Sequence, residues 1–100
     1  MMSYDSKIKN EEVDALFEGI LELKDKEECY MYFEDLCTIK EIKVMAQRFK
    51  VAKMLKDNKK YTQIEEETGA STATISRIAR FLNYGSKGYE MILDRLEQKN

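Results

Sequence analysis

The sequence predicts a small all-α protein built around a helix-turn-helix. Three observations carry that prediction. Proline is absent from the 100 residues and glycine occurs only four times, so little interrupts a helix. Apolar side chains recur at i, i+3 and i+4 through most of the chain, which is the helical period. The stretch TGASTATISRIARFL, residues 68–82, joins a glycine turn to an amphipathic helix that begins with small hydroxyl residues.

The elements follow in order. Val13, Leu16, Phe17, Ile20 and Leu21 mark a first helix near 11–23. Asp25, with Glu28 three residues later, reads as N-cap and N3 carboxylate of a second helix near 26–36, with Cys29, Phe33 and Leu36 as its buried stripe. Thr38 and Glu41 form a T-x-x-E capping box for a third helix near 39–57. That helix is apolar at Ile39, Ile42, Met45, Phe49 and Ala52, and again at Val44, Val51 and Leu55, leaving a narrow polar stripe of Lys40, Lys43, Gln47 and Lys50. A helix apolar around so much of its circumference is central or lies in a subunit interface. In a monomer Phe49, Val44 and Val51 are expected to be left wet. KDNKK ends the pattern.

From Tyr61 the character changes. Thr62 and Glu65 suggest a capping box opening a short helix that runs to about Glu67. Gly69 stands where a left-handed residue ends a helix, and Ser71 is the natural N-cap of the next, near 72–83. At 100° per residue Ile75, Ile78, Ala79 and Leu82 point one way, toward Ile64. Thr72, Ala73, Ser76 and Arg80 point the other way, with Arg77 at the border. Glu65 occupies a place where helix-turn-helix units usually have Ala, so its long side chain is expected to bend outward. A last helix is expected over 87–97. Residues 1–100 are read as one domain, with acidic helices over 1–37 for dimerisation, a central helix over 38–57 and the helix-turn-helix over 61–83. A helical chain this short often completes its core by pairing with a second copy.

Charge divides the chain. Residues 1–37 hold 4 basic and 11 acidic side chains, whereas residues 38–88 hold 11 basic and 5 acidic, a local net charge of +6 inside an overall −2. The local field steers a polyanion, so an acidic total does not exclude one. The outward face of the 72–83 helix is slim at its N-terminal end, as entry into a major groove about 12 Å wide requires. Thr and Ser hydroxyls can bond base edges or phosphates, Ala and Thr methyls can meet a thymine methyl, and the helix start favours phosphate. The DNA-facing set is expected to be Thr62, Ser71, Thr72, Ala73, Ser76, Arg77, Arg80 and Lys87. For Ser71 taken alone, capping is the stronger reading.

Other classes find little support. The glycines form no G-x-G-x-x-G or P-loop, no histidine can act as a base, and Glu65, Glu66 and Glu67 read as a solvated face. No enzyme activity, catalytic residue, cofactor or metal is expected. Without His, common zinc sites are out of reach, and Cys29 and Cys37 do not suggest a disulfide framework. The opening MMSYDSKIKNEE has no apolar h-region and no run is long enough to span a membrane, so a cytoplasmic location is expected. The competing reading is a protein–protein interaction module that keeps the helix-turn-helix fold without binding DNA. Such a module would more naturally carry exposed aliphatics or aromatics where Thr72, Ser76, Arg77 and Arg80 stand, although Tyr84 and Tyr89 supply some.

DLCTIKEIKVMAQRFKVAKML, followed by YTQIEEETGASTATISRIARFLNYGSKGYEMIL, resembles the Trp repressor superfamily, most closely its small bacterial YerC/YecD-type branch. The similarity covers over half of the chain, and GASTATISR beside NYGSKGY is highly specific to that branch. The resemblance implies an intertwined homodimer of six-helix chains and a role in transcriptional regulation, with repression the expected sense. In Trp repressor two arginines flank the indole of bound tryptophan. The matching positions are Arg48 and Arg77, and Thr38 matches a further pocket residue. The next position after the second arginine is glycine in Trp repressor and Ile78 here, and a hydroxyl residue of the pocket is replaced by Phe81. Ile78 occupies volume meant for indole, and Phe81 removes a partner for the ligand's charged end. The pocket equivalent is therefore expected to be closed by Ile78 and Phe81, with no tryptophan corepressor. Whether another small molecule serves as effector stays open.

Overall fold

The computed structural model describes residues 4–99, and among them it forms six α-helices and no strand. The helices fall into two compact units, one reaching to Thr38 and the other starting at Ile39.

The first unit holds α1 (Glu11–Ile20) and α2 (Lys26–Leu36). Asn10 caps α1, its Oδ1 accepting from the Val13 amide at 2.8 Å. The helix stops at Ile20 rather than near residue 23. There the Glu22 and Leu23 amides turn back to Gly19 and Ile20, each at 3.1 Å, in the tighter i to i−3 pattern. Gly19 weakens the last turn and also admits α2, since the Tyr32 hydroxyl would lie 3.2 Å from a Cβ placed there. Asp25 caps α2 as the sequence indicates, and Glu28 reaches back to the Lys24 amide at 2.9 Å. The Tyr32 and Phe33 rings meet edge to face with centroids 5.6 Å apart. Neither helix buries a residue fully, and Leu36, expected in the buried stripe, is exposed. Cys29 and Cys37 are free thiols.

The second unit is organised by α3 (Ile39–Lys56), which packs against α4 (Tyr61–Thr68), α5 (Thr72–Tyr84) and α6 (Gly88–Gln98). Val51, Ala52 and Met54 of α3 meet Ile64, Ala70, Ile75, Ile78 and Leu93 in one buried cluster, with Phe49, Leu55, Leu82 and Tyr89 packed around it. Val51 is thus fully covered within one chain, not left wet, because α4 and α5 fold over that side of α3. Val44 and Phe49 are half-buried. Asn58 ends α3 in the left-handed region at φ 62°. Its amide returns to Leu55 O and the Lys59 amide to Met54 O, both at 3.0 Å, which satisfies carbonyls left open by the helix end. Lys56 of α3 forms an ion pair with Asp94 of α6, and that hydrogen bond raises the Lys56 pKa above the ordinary lysine value.

Candidate nucleic-acid interface

The helix-turn-helix is α4, a three-residue turn and α5. Ile64, Ile75 and Ile78 fix the two helices on the core, so the phasing read from the sequence holds. Gly69 ends α4 at φ 74°, with its amide donating to Glu65 O at 2.9 Å. A Cβ at Gly69 would touch nothing within 4 Å, so the backbone angle rather than space asks for glycine. The turn is pinned from two sides. Thr68 Oγ1 donates to Ile64 O at 2.7 Å and accepts from the Ala70 amide at 3.1 Å, and Gln47 of α3 donates to Thr68 O at 3.0 Å. This bracing fixes the direction in which α5 leaves the turn. Gln47 was not singled out as functional, because its sequence position shows only a polar place on α3.

Ser71 caps α5, accepting from the Thr74 amide and donating to Thr74 Oγ1, both at 3.1 Å. Its hydroxyl is committed to the fold. Thr72, Ala73, Ser76, Arg77 and Arg80 are all exposed. Thr72, Ser76 and Arg80 follow at i, i+4 and i+8, one line along the helix. Neither Arg77 nor Arg80 has an ion pair among the described residues. The helix ends at Gly85, where a Cβ would come 2.4 Å from Phe81 O, an approach only glycine allows. Lys87 then opens α6 in the left-handed region, 3.6 Å from Glu90. A narrow hydroxyl and methyl surface with unpaired guanidiniums farther along can hydrogen-bond base edges and phosphates.

The expected Thr62–Glu65 capping box does not form. Helix α4 begins at Tyr61 with Lys60 at the cap position and no side-chain cap, so Thr62 already lies inside the first turn, exposed. Glu65 is too far along to serve the open amides and instead accepts a hydrogen bond from Thr72 Oγ1, across the turn. Sequence pattern pointed to Glu65 as the residue out of place for a helix-turn-helix but gave no sign of this partner.

The residues matched to the tryptophan pocket differ in burial. Arg48 and Arg77 are exposed, and Ile78 is in the core at 3% exposure. Phe81, expected to fill the slot with Ile78, is instead 53% exposed. It lines an open apolar groove of about 550 Å³ with Phe49, Tyr89, Met91 and Ile92. Its position on the α5 face nearest α6, rather than the core face, is the reason. Thr38 lies at the end of the first unit, exposed.

The model of the Trp repressor protein family matches residues 11–97. The chain belongs to the Trp repressor family. It is 59% identical over 92 residues to the uncharacterized protein YerC of Bacillus subtilis strain 168, covering 92% of this chain and 88% of that one. Among solved structures, it is similar to a Trp repressor candidate from Staphylococcus aureus, at 52% identity and TM-score 0.86 with 91% of each chain covered. A TrpR-like protein from Eubacterium eligens ATCC 27750 matches at 55% identity and TM-score 0.87, over 91% of this chain and 94% of that one. This Trp repressor family member thus carries the family's helical fold from α1 to α6. No helix among its described residues is long and apolar enough to cross a membrane.

Proposed function

We propose that this chain is a transcriptional regulator, acting as a repressor, which binds specific double-stranded DNA as a homodimer with α5 in the major groove. The observation that carries the reading is the exposed α5 face, slim at Thr72, Ala73 and Ser76 and cationic at Arg77 and Arg80, on a rigidly braced turn. Membership of the Trp repressor family supports it. Dimerisation is supported by apolar side chains that one chain leaves exposed, among them Leu21 at 81%, Ile39 at 75% and Tyr30 and Met31 at 64% each. Covering such side chains contributes about 1.5–3 kcal/mol each. The open groove at Phe81 is a further apolar surface for the second copy.

The test is recovery of DNA from a random pool. A consensus with two-fold symmetry is expected, its half-sites about 34–36 Å apart or a multiple, the spacing general to helix-turn-helix dimers, Trp repressor among them. Arg80→Ala is expected to weaken binding to all sequences and flatten its salt dependence. Ser76→Ala is expected to relax base preference at one position, costing about 1–3 kcal/mol there. Equal binding by the parent and both variants would refute the assignment of this face.

A further inference from the structure

Resting on the DNA-binding reading, we propose that Glu65 is a specificity-determining residue: with Thr72 it forms a paired acceptor that selects cytosine in each half-site. A carboxylate oxygen only accepts, so in the contact between Thr72 Oγ1 and Glu65 Oε1 the hydroxyl proton belongs to Thr72 and is spent on Glu65. What remains of that hydroxyl is lone pairs. Thr72 is the first residue of α5 and is exposed, so it presents an acceptor at the leading end of the helix. Glu65, half-buried in the second turn of α4, adds its acceptor-only oxygens beside it. Two acceptors, one of them anionic, do not suit a phosphate oxygen, so this pair is not a backbone contact.

Base edges offer few matches. In the major groove the donors are the adenine N6 and cytosine N4 amino groups, whereas guanine N7 and O6 and thymine O4 are acceptors. Adenine places its N7 acceptor beside the N6 donor, opposite the second acceptor of the pair. Cytosine carries no acceptor of its own on that edge, so its donor has only the paired guanine O6 on one side, whereas adenine N6 is flanked by N7 on one side and by the paired thymine O4 on the other. Guanine and thymine are repelled outright, adenine in part, and cytosine fits. The same charge lowers affinity for DNA in general, which sharpens discrimination by disfavouring the wrong sites.

The experiment is selection from a random DNA pool, followed by competition binding on the consensus and on substitutions of it. It uses the full chain, Glu65→Gln and Thr72→Val, all near-isosteric changes at positions that are not fully buried. The parent consensus is expected to hold one cytosine per half-site whose replacement costs roughly 5- to 100-fold in affinity. Glu65→Gln and Thr72→Val should both relax that same position and leave the others unchanged, and the double variant should relax it no further. Glu65→Gln should also bind random DNA more tightly than the parent. If both variants keep the parent's consensus, the pairing is wrong while the DNA-binding reading stands. A parent that enriches no DNA sequence overturns both.

Discussion

From Ile39 onward eight apolar side chains are buried, whereas among the described residues before it none is, although apolar residues are plentiful in both stretches. The difference comes from the number of partners a helix finds. Helix α3 meets α4, α5 and α6, so opposite sides of it are covered. Helices α1 and α2 each have a well-capped start and approach each other at Gly19 and Tyr32, but their apolar positions Val13, Leu16, Ile20 and Phe33 are only half-buried and Phe17, Met31 and Leu36 are exposed. Charge divides along the same line, with the acidic side chains concentrated in the first stretch. A region with sound local helix signals and no fully buried side chain supports the proposed dimer.

The largest expected effect is in the self-sufficient region. Ile75→Ala removes a fully buried side chain between α3, α4 and α5 and should destabilise the fold by about 2–5 kcal/mol, measured by denaturant unfolding. A loss under about 1 kcal/mol would mean that this cluster is not the centre of stability. In the other region the double change Leu21→Asp and Met31→Asp is informative. On a monomer's open surface each substitution should shift stability by no more than about 0.5 kcal/mol. In a dimer that covers both, two buried charges should dissociate the subunits. Light scattering is expected to give the parent twice the chain mass of 11.8 kDa and the variant a single chain mass. A parent of single-chain mass would remove the dimer from the proposal.

How much of this was readable beforehand depends on how local each signal is. Asp25, Ser71 and Gly69 act within a few residues of themselves, and all three do what their neighbours in sequence imply. The Thr62–Glu65 box failed although its pattern is correct. Whether a carboxylate caps its own helix depends on where that helix begins, and Glu65 finds Thr72 across the turn. Apolar periodicity placed Val51 on an uncovered face, whereas α4 and α5 cover it. The period reports that a face is apolar, and only packing decides which element covers it. The candidate interface was legible for the same local reason as the caps, since the helical period over the 13 residues of α5 fixes which of its sides is outward.

A smaller effect belongs to the link between α3 and α6. The hydrogen bond from Lys56 to Asp94 raises the lysine pKa in the folded chain. A group whose folded value exceeds its unfolded value of about 10.4 stabilises fully below that pH and loses its contribution as pH rises through the folded value. Asp94→Asn should therefore unfold more easily than the parent near neutral pH, and the gap should close above about pH 10.4. Exposed ion pairs contribute little, so the gap is expected to be small. A gap that is unchanged in strong alkali would assign the role of Asp94 to packing.

The last expected effect is none at all, and it concerns positions drawn from both regions. The positions matched to the family's tryptophan pocket include Thr38, Arg48 and Arg77. The two arginines are exposed and available, so charge alone would permit a carboxylate ligand. Space would not. Ile78 fills the position next to Arg77 and sits in the core at 3% exposure, where it cannot withdraw without opening a cavity beside Ile75. Phe81 adds no hydrogen-bond partner for a charged amino-acid end, and its ring faces the open groove with Phe49 and Tyr89. Calorimetric titration with L-tryptophan at millimolar concentration, with and without the selected DNA, should give no saturable heat. The Ile78→Gly and Phe81→Ser double variant should then be titrated in the same way, because it restores both the space and the hydroxyl. Weak saturable binding by that variant alone would trace the loss of binding to the bulk of Ile78 and the missing hydroxyl at Phe81. Micromolar binding by the parent would show that the pocket opens when two chains associate, and would return the corepressor to the mechanism.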